Sequence, residues 1–178
     1  MLTIVFSRIN SAVGPLLLGM SDGKLAMLAF GHELPEKLHG TKVNWRESPE
    51  ATANVRQQLE EYFAGQRREF NLPLDLHGTE FQRRCWDELV QIPFGETRSY
   101  AEIARAVGSP NGFRAVGQAN HHNPVAIVVP CHRVLAGGKE LGGYGGGLPT
   151  KAFLLRLEGA SFHDRTATTD PQPALKFM

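Results

Sequence analysis

The hydrophobic pattern of this 178-residue chain changes period near residue 77, and that change limits what the chain can fold into. Up to about residue 31 the apolar residues come in short runs, Leu2 to Phe6, Pro15 to Gly19 and Lys24 to Phe30, broken by Gly14-Pro15 and Ser21-Asp22-Gly23. Short runs bounded by Gly, Pro and Asp read as strands joined by tight turns, here a small antiparallel meander. Ala51, Val55, Leu59 and Phe63 then recur every four residues with Gly65 behind them. That spacing predicts a helix closed by a left-handed glycine, with Gln57, Gln58, Glu60 and Glu61 facing water. The stretch 66–78 has no period and reads as a connector.

After the connector the grammar is helical. Thr79 with Gln82, and Ser99 with Glu102, each place a hydroxyl three residues before an amide or carboxylate, the capping box that opens a helix. In the first of these helices Phe81, Cys85 and Leu89 share one face, so Cys85 is read as a core thiol. The second, 99 to about 107, stops at Gly108-Ser109-Pro110, and another short helical stretch, 111 to about 120, follows. Two short helices about a tight turn suggest a helix-turn-helix, although many such pairs never touch DNA. Arg114, Ala115, Gly117, Gln118 and Ala119 give the second helix a small, nearly uncharged surface suited to close approach in a narrow groove.

The apolar run Val125 to Val129 reads as a strand carrying Pro130-Cys131-His132-Arg133 at its end. A thiol reacts as the thiolate, and a neighbouring imidazole is a common way to favour that state. On residue types alone the commoner reading is a buried thiol beside a surface histidine. The glycine-rich segment 136–147, with Tyr144 inside it, is either a flexible surface loop or an active-site wall whose backbone approaches a ligand. A terminal helix, 150–158, is closed by Gly159. The expected organisation is an N-terminal domain with connector, 1–77, a second domain, 78–160, and a loosely ordered tail, 161–178.

Composition excludes several classes. With 42% hydrophobic and 21% charged residues the chain is an ordinary globular protein. Cys85 and Cys131 are far apart, which suggests neither a disulfide framework nor a Cys-rich zinc site. No segment has the apolar length of a membrane span and the N-terminus lacks a secretory pattern, so a cytoplasmic protein is expected. A net charge of +1 argues against binding nucleic acid by charge alone, so any DNA contact must be local. No Gly-Lys-Ser/Thr opens a helix, so a phosphate-binding loop is not indicated.

Gly78-Thr79-Glu80-Phe81-Gln82, Ile92-Pro93-Phe94-Gly95-Glu96-Thr97, Ser99-Tyr100, Arg114-Ala115-Val116-Gly117, Asn123-Pro124, Pro130-Cys131-His132-Arg133-Val134, Gly143-Tyr144 and Glu158-Gly159 stand in one order along the chain. In that order they resemble the O6-alkylguanine-DNA alkyltransferase family over residues 78–159. The resemblance implies an α+β fold: a small N-terminal α/β domain with an antiparallel, ribonuclease-H-like sheet, then a mostly helical domain with a winged-helix-like helix-turn-helix. It implies direct-reversal repair, in which alkylated guanine is flipped out of duplex DNA and its alkyl group moves irreversibly to Cys131, one transfer per molecule. An O4-alkylthymine offers the same chemistry. No cofactor or metal is needed, and the partner is double-stranded DNA bound through its minor groove by a monomer.

The roles that the resemblance implies fall on matching positions. Cys131 is the acceptor, His132 the base acting through a water, and Glu158 the carboxylate that orients the imidazole. Asn123 braces the backbone around the cysteine, and Tyr100 donates to the guanine ring. Arg114 fills the place of the flipped base, while Ser99, Ala115, Gly117, Gln118 and Ala119 meet the DNA. The backbone of Val134 reads the guanine amine, and Tyr144, Gly145 and Gly146 line the alkyl pocket. The chain departs from the family in carrying Glu80 for a usual proline and Asn111-Gly112-Phe113 for a smaller, alanine-rich stretch; Phe113 either anchors the helix in the core or touches DNA, and the core is favoured because an aromatic ring gains most from burial. The N-terminal half has no cysteine, so the zinc site of some relatives is expected to be missing. Two other readings stay open: a non-catalytic lesion sensor, disfavoured by the cysteine, and a Cys-His hydrolase, which leaves the helix pair and Tyr100 without a task.

Overall fold

The structure, a computed structural model, describes residues 1–164, which form two units divided between His77 and Gly78. The first unit is a five-stranded sheet with one helix. Strands β1 (Leu2–Ser11), β2 (Gly14–Ser21) and β3 (Lys24–Phe30) form the expected antiparallel meander, since each apolar run is long enough for one strand and each turn carries a glycine. The sheet is mixed, however, and not antiparallel throughout. Strand β5 (Thr41–Glu47) runs parallel to β1, and the two-residue β4 (Lys37–Leu38) pairs antiparallel with β5, giving the order β3-β2-β1-β5-β4. The sequence Thr41 to Glu47 is mostly polar and exposed, so its apolar content gave no strand signal; Trp45 holds it by packing edge-on to Phe6, ring centroids 5.7 Å apart.

Helix α1 (Ala53–Phe63) buries Val55, Leu59 and Tyr62. Two details differ from the four-residue reading. Ala51 lies outside the helix and is exposed, and Gln58, expected in water, is buried. Its amide is satisfied there: Nε2 donates to the Asn71 carbonyl at 3.0 Å and Oε1 accepts from the Asn71 N–H at 2.9 Å. A buried amide with both halves paired is stable in a core, and this one anchors the connector. The connector also docks on β3, with Leu25 N–H donating to Pro73 O at 2.8 Å and Asp75 N–H to Leu25 O at 2.9 Å.

The second unit is built on three helices around Trp86. Helix α2 (Glu80–Val90) and helix α3 (Tyr100–Ala106) open with complete capping boxes at Thr79 and Ser99. Helix α4 (Phe113–His121) follows a turn and packs on both, its Ala119 carbonyl accepting from the buried Trp86 Nε1 at 2.8 Å. Cys85 is fully buried, and burial pushes its thiol up to about 11, which leaves it inert. The last helix among the described residues is α5 (Leu148–Leu157). Residues 161–164, the start of the expected loose tail, are tied down: His163 N–H donates to Lys139 O at 2.8 Å and Phe162 packs on a cluster with Leu141 and Leu155. Residues 165–178 of that tail lie outside the described residues.

Candidate active site

Residues 125–129 are not a strand. Their backbone turns tightly, with Val128 N–H donating to Ala126 O at 2.8 Å and Val129 N–H to Val125 O at 3.0 Å, and Ile127 sits at φ 71°. A buried apolar run cannot be told from a strand by periodicity alone, and the deciding force here is polar. The Asn123 side chain clamps the turn, Oδ1 accepting from Val125 N–H at 3.0 Å and Nδ2 donating to Val129 O at 2.8 Å. That clamp holds a β-branched residue in a left-handed conformation that it rarely adopts. Cys131, His132 and Arg133 follow as one 3-10 turn, so Cys131 is presented by a turn and not by an extended strand end.

Asn123 Nδ2 also donates to Cys131 Sγ at 3.2 Å. The thiol is 7% exposed. Burial pushes its pKa up, while the Asn123 hydrogen bond and the Lys151 charge pull it back, and burial wins. Cys131 therefore rests as a neutral thiol, in keeping with a base that draws its proton during the reaction rather than with a standing thiolate.

His132 is 0% exposed, and its Nε2 lies 2.8 Å from Glu158 Oε2. Burial alone would raise the Glu158 carboxyl, but His132 and Arg133 around it hold it far below the usual carboxylate range. An ionised carboxylate only accepts, so Nε2 carries the hydrogen and Nδ1 the lone pair. Nδ1 is buried and has no hydrogen-bond partner among the described residues. Burial lowers the imidazole pKa and outweighs the pull of Glu158, whose carboxylate is already paired with Arg133. The guanidinium grips both oxygens, Nε to Oε1 at 2.8 Å and Nη2 to Oε2 at 2.9 Å, while Nη1 donates to Ile92 O at 2.6 Å. The result is a neutral base backed by a charged, fully satisfied pair.

A second buried cation, Lys151, comes from α5. Its Nζ donates to the carbonyls of Val134 at 2.6 Å, Gly143 at 3.1 Å and Leu141. All three donors of the ammonium are used, and together they draw the glycine-rich segment onto the cysteine turn. Burial pushes Lys151 down to about 8, and a charge developing on Cys131 would oppose that shift. Neither Arg133 nor Lys151 was given a role from sequence. Lys151 had a signal, since it lies three and four residues before Leu154 and Leu155 on the buried stripe of its helix.

These groups meet a pocket of about 930 Å³ whose lining includes Cys131, Tyr100, Tyr144, Gly145 and, from α4, Phe113 and Gly117. Tyr100 is the first residue of α3, placed by the Ser99 cap and by the short parallel ladder of β6 (Arg98–Ser99) with β7 (Val134–Leu135). Its ring fits because Gly142 stands beside it at φ 68°: a Cβ there would lie 3.2 Å from the ring. Burial raises the phenol pKa, a charge developing on Cys131 would raise it further, and a hydrogen bond with the Gly143 backbone acts against both. Tyr100 is thus a protonated donor at neutral pH.

The remaining expected residues divide. Arg114, Ala115 and Gln118 are exposed on α4, and Ser99 is half-buried with its hydroxyl accepting from Glu102 N–H at 3.0 Å. Ala119 is not available to DNA: it is 1% exposed on the core face of α4. Val134 is fully buried and Gly146 half-buried, and neither lines the pocket; the Val134 carbonyl already accepts from Lys151. Phe113, expected in the core, is 51% exposed.

A helical unit whose helix-turn-helix flanks a pocket ending on a buried cysteine, preceded in sequence by a small α/β unit, is the plan of the DNA alkyltransferases. The chain belongs to the 6-O-methylguanine DNA methyltransferase family: the DNA-binding domain of that family matches residues 80–160 and its ribonuclease-like domain residues 4–76. It is 49% identical over 155 residues, 87% of this chain and 92% of the relative, to a methylated-DNA–protein-cysteine methyltransferase of Mycolicibacterium paratuberculosis. It is 41% identical over 169 residues, 90% and 98%, to the constitutive enzyme of that name from Bacillus subtilis. The crystal structure of Mycobacterium tuberculosis OGT in complex with DNA superposes with a TM-score of 0.80 at 45% identity, covering 87% of this chain and 92% of that one.

Proposed function

We propose that this protein repairs DNA by direct reversal, taking O6-alkylguanine out of the duplex and moving its alkyl group irreversibly to Sγ of its own Cys131. The observation that carries this reading is the buried thiol at the pocket wall, in one 3-10 turn with an imidazole whose outer nitrogen is fixed by Glu158 and Arg133. In the transfer an S–C bond forms as the C–O6 bond breaks. The thiol proton passes through a bridging water to His132 Nδ1, and Tyr100 donates to the guanine ring as it departs. Sulfur is a soft nucleophile toward saturated carbon, and the thioether product is not cleaved again, so each molecule acts once.

Arg114, with Ala115, Gly117 and Gln118, faces the minor groove and supplies the side chain that occupies the vacated stack. Tyr144 and Gly145 form the alkyl side of the pocket, and Lys151 and Asn123 fix the backbone around it. Among the described residues no helix is long and apolar enough to cross a membrane, and a reaction that needs a free thiol suits the reducing cytoplasm.

Intact-mass measurement after incubation with duplex DNA containing O6-methylguanine should show one added methyl on the protein, mapping to Cys131. Cys131→Ala should lose the addition while keeping DNA binding. A lesion recovered unaltered from complexes of the folded protein would favour a sensor instead.

A further inference from the structure

Phe113 is the first residue of α4 and the only aromatic among the large apolar side chains that the described residues leave exposed. It stands three residues before Val116, on the face that the helix buries, yet the core side of α4 is filled by Val116 and Ala119 without it. Its ring lines the same pocket as Cys131 and Tyr100, and its chain neighbours Gly112 and Arg114 leave it standing beside an exposed guanidinium. An exposed phenylalanine gives up the burial that a ring of its size gains most from, so a surface that covers it in the working complex is the natural complement.

We propose that Phe113 is a DNA-contacting wedge: when α4 enters the minor groove, the ring packs against the bases flanking the extruded nucleotide and helps to unstack them, beside Arg114. The proposal rests on the repair reading above. Three points set the occupant as duplex DNA. The ring lies at the opening of the helix that carries Arg114, it borders the pocket that receives the flipped nucleotide, and a planar apolar side chain beside a cation is the combination that unstacks base steps. A ring acting on the duplex has work to do only where a stack must be opened.

The test compares single-turnover methyl transfer from O6-methylguanine in a duplex and in the same sequence as a single strand, using the full chain and its Phe113→Ala and Phe113→Trp variants. Phe113→Ala should slow transfer from the duplex by about tenfold or more, the order expected when a stacking contact is lost, and leave the single strand within about twofold. Phe113→Trp should keep the duplex rate within about threefold, since any large ring can wedge. An unchanged melting temperature shows that the exposed ring is not structural. Equal rates for Phe113→Ala and the unsubstituted protein on the duplex, or an equal loss on both substrates, would overturn the proposal. No transfer by the unsubstituted protein from either substrate would instead overturn the repair reading on which it stands.

Discussion

His132 ties the chemistry of one residue to pH in two measurable ways. Its pKa is lowered from 6.5 by burial, so the base stays neutral below the pH at which a free imidazole would charge. The rate of transfer should therefore hold level from pH 8 down past 6.5 and fall only below it; an acid limb centred at or above 6.5 would contradict the assignment of His132 as the base. The same shift acts on stability. Below pH 6.5 the unfolded chain binds a proton at this histidine that the folded chain refuses, so unfolding free energy should decrease as pH drops through that window. Glu158 behaves oppositely in origin but alike in outcome, since its lowered pKa contributes stability above 4.5 that is lost on further acidification. Arg133→Leu would leave that carboxylate buried without its guanidinium, and urea unfolding should show a loss of about 3–5 kcal/mol.

Helix starts separate structural from chemical roles. Thr79→Ala and Ser99→Ala each remove one capping-box hydroxyl, and each should cost about 1 kcal/mol in denaturant unfolding. Only the second should slow methyl transfer, because Tyr100 is the residue that the Ser99 cap sets in place. The capped helices, the meander and the helix pair were legible in the sequence because their signals are local: a hydroxyl three residues before a glutamine or glutamate, or a glycine between apolar runs. The Cys131 turn was not, since Val125 to Val129 is apolar throughout and the side chain that bends it, Asn123, acts by two hydrogen bonds that no periodicity records. The motif residues Cys131, His132 and Glu158 could be named from the family pattern, but Arg133 and Lys151 acquire their partners only when distant carbonyls and a carboxylate converge on them. Phe113 was misplaced because the gain of an aromatic ring on burial was weighed alone, while α4 begins at this residue and fills its core side with Val116 and Ala119. Lys151→Met should leave the buried carbonyls of Val134 and Leu141, and the part-buried one of Gly143, short of a donor, with a loss of about 3 kcal/mol and a marked fall in transfer.

On the proposed reading, in which α4 meets the groove, a chain whose net charge is only +1 should offer duplex DNA little further electrostatic attraction. The slope of log affinity against log salt should therefore be shallow, no steeper than about −3, which corresponds to roughly three phosphates at about −0.9 each. A slope twice as steep would reveal a basic surface outside α4. The burial of Cys131 has a further consequence at this scale. Its thiol is only 7% exposed, at the wall of the pocket, and the other cysteine, Cys85, is fully buried on the core face of α2. Once Sγ carries an alkyl group the protein is spent as a reagent is spent, and the capacity of a cell to remove lesions becomes an inventory of folded molecules in which synthesis, and not turnover number, sets the ceiling.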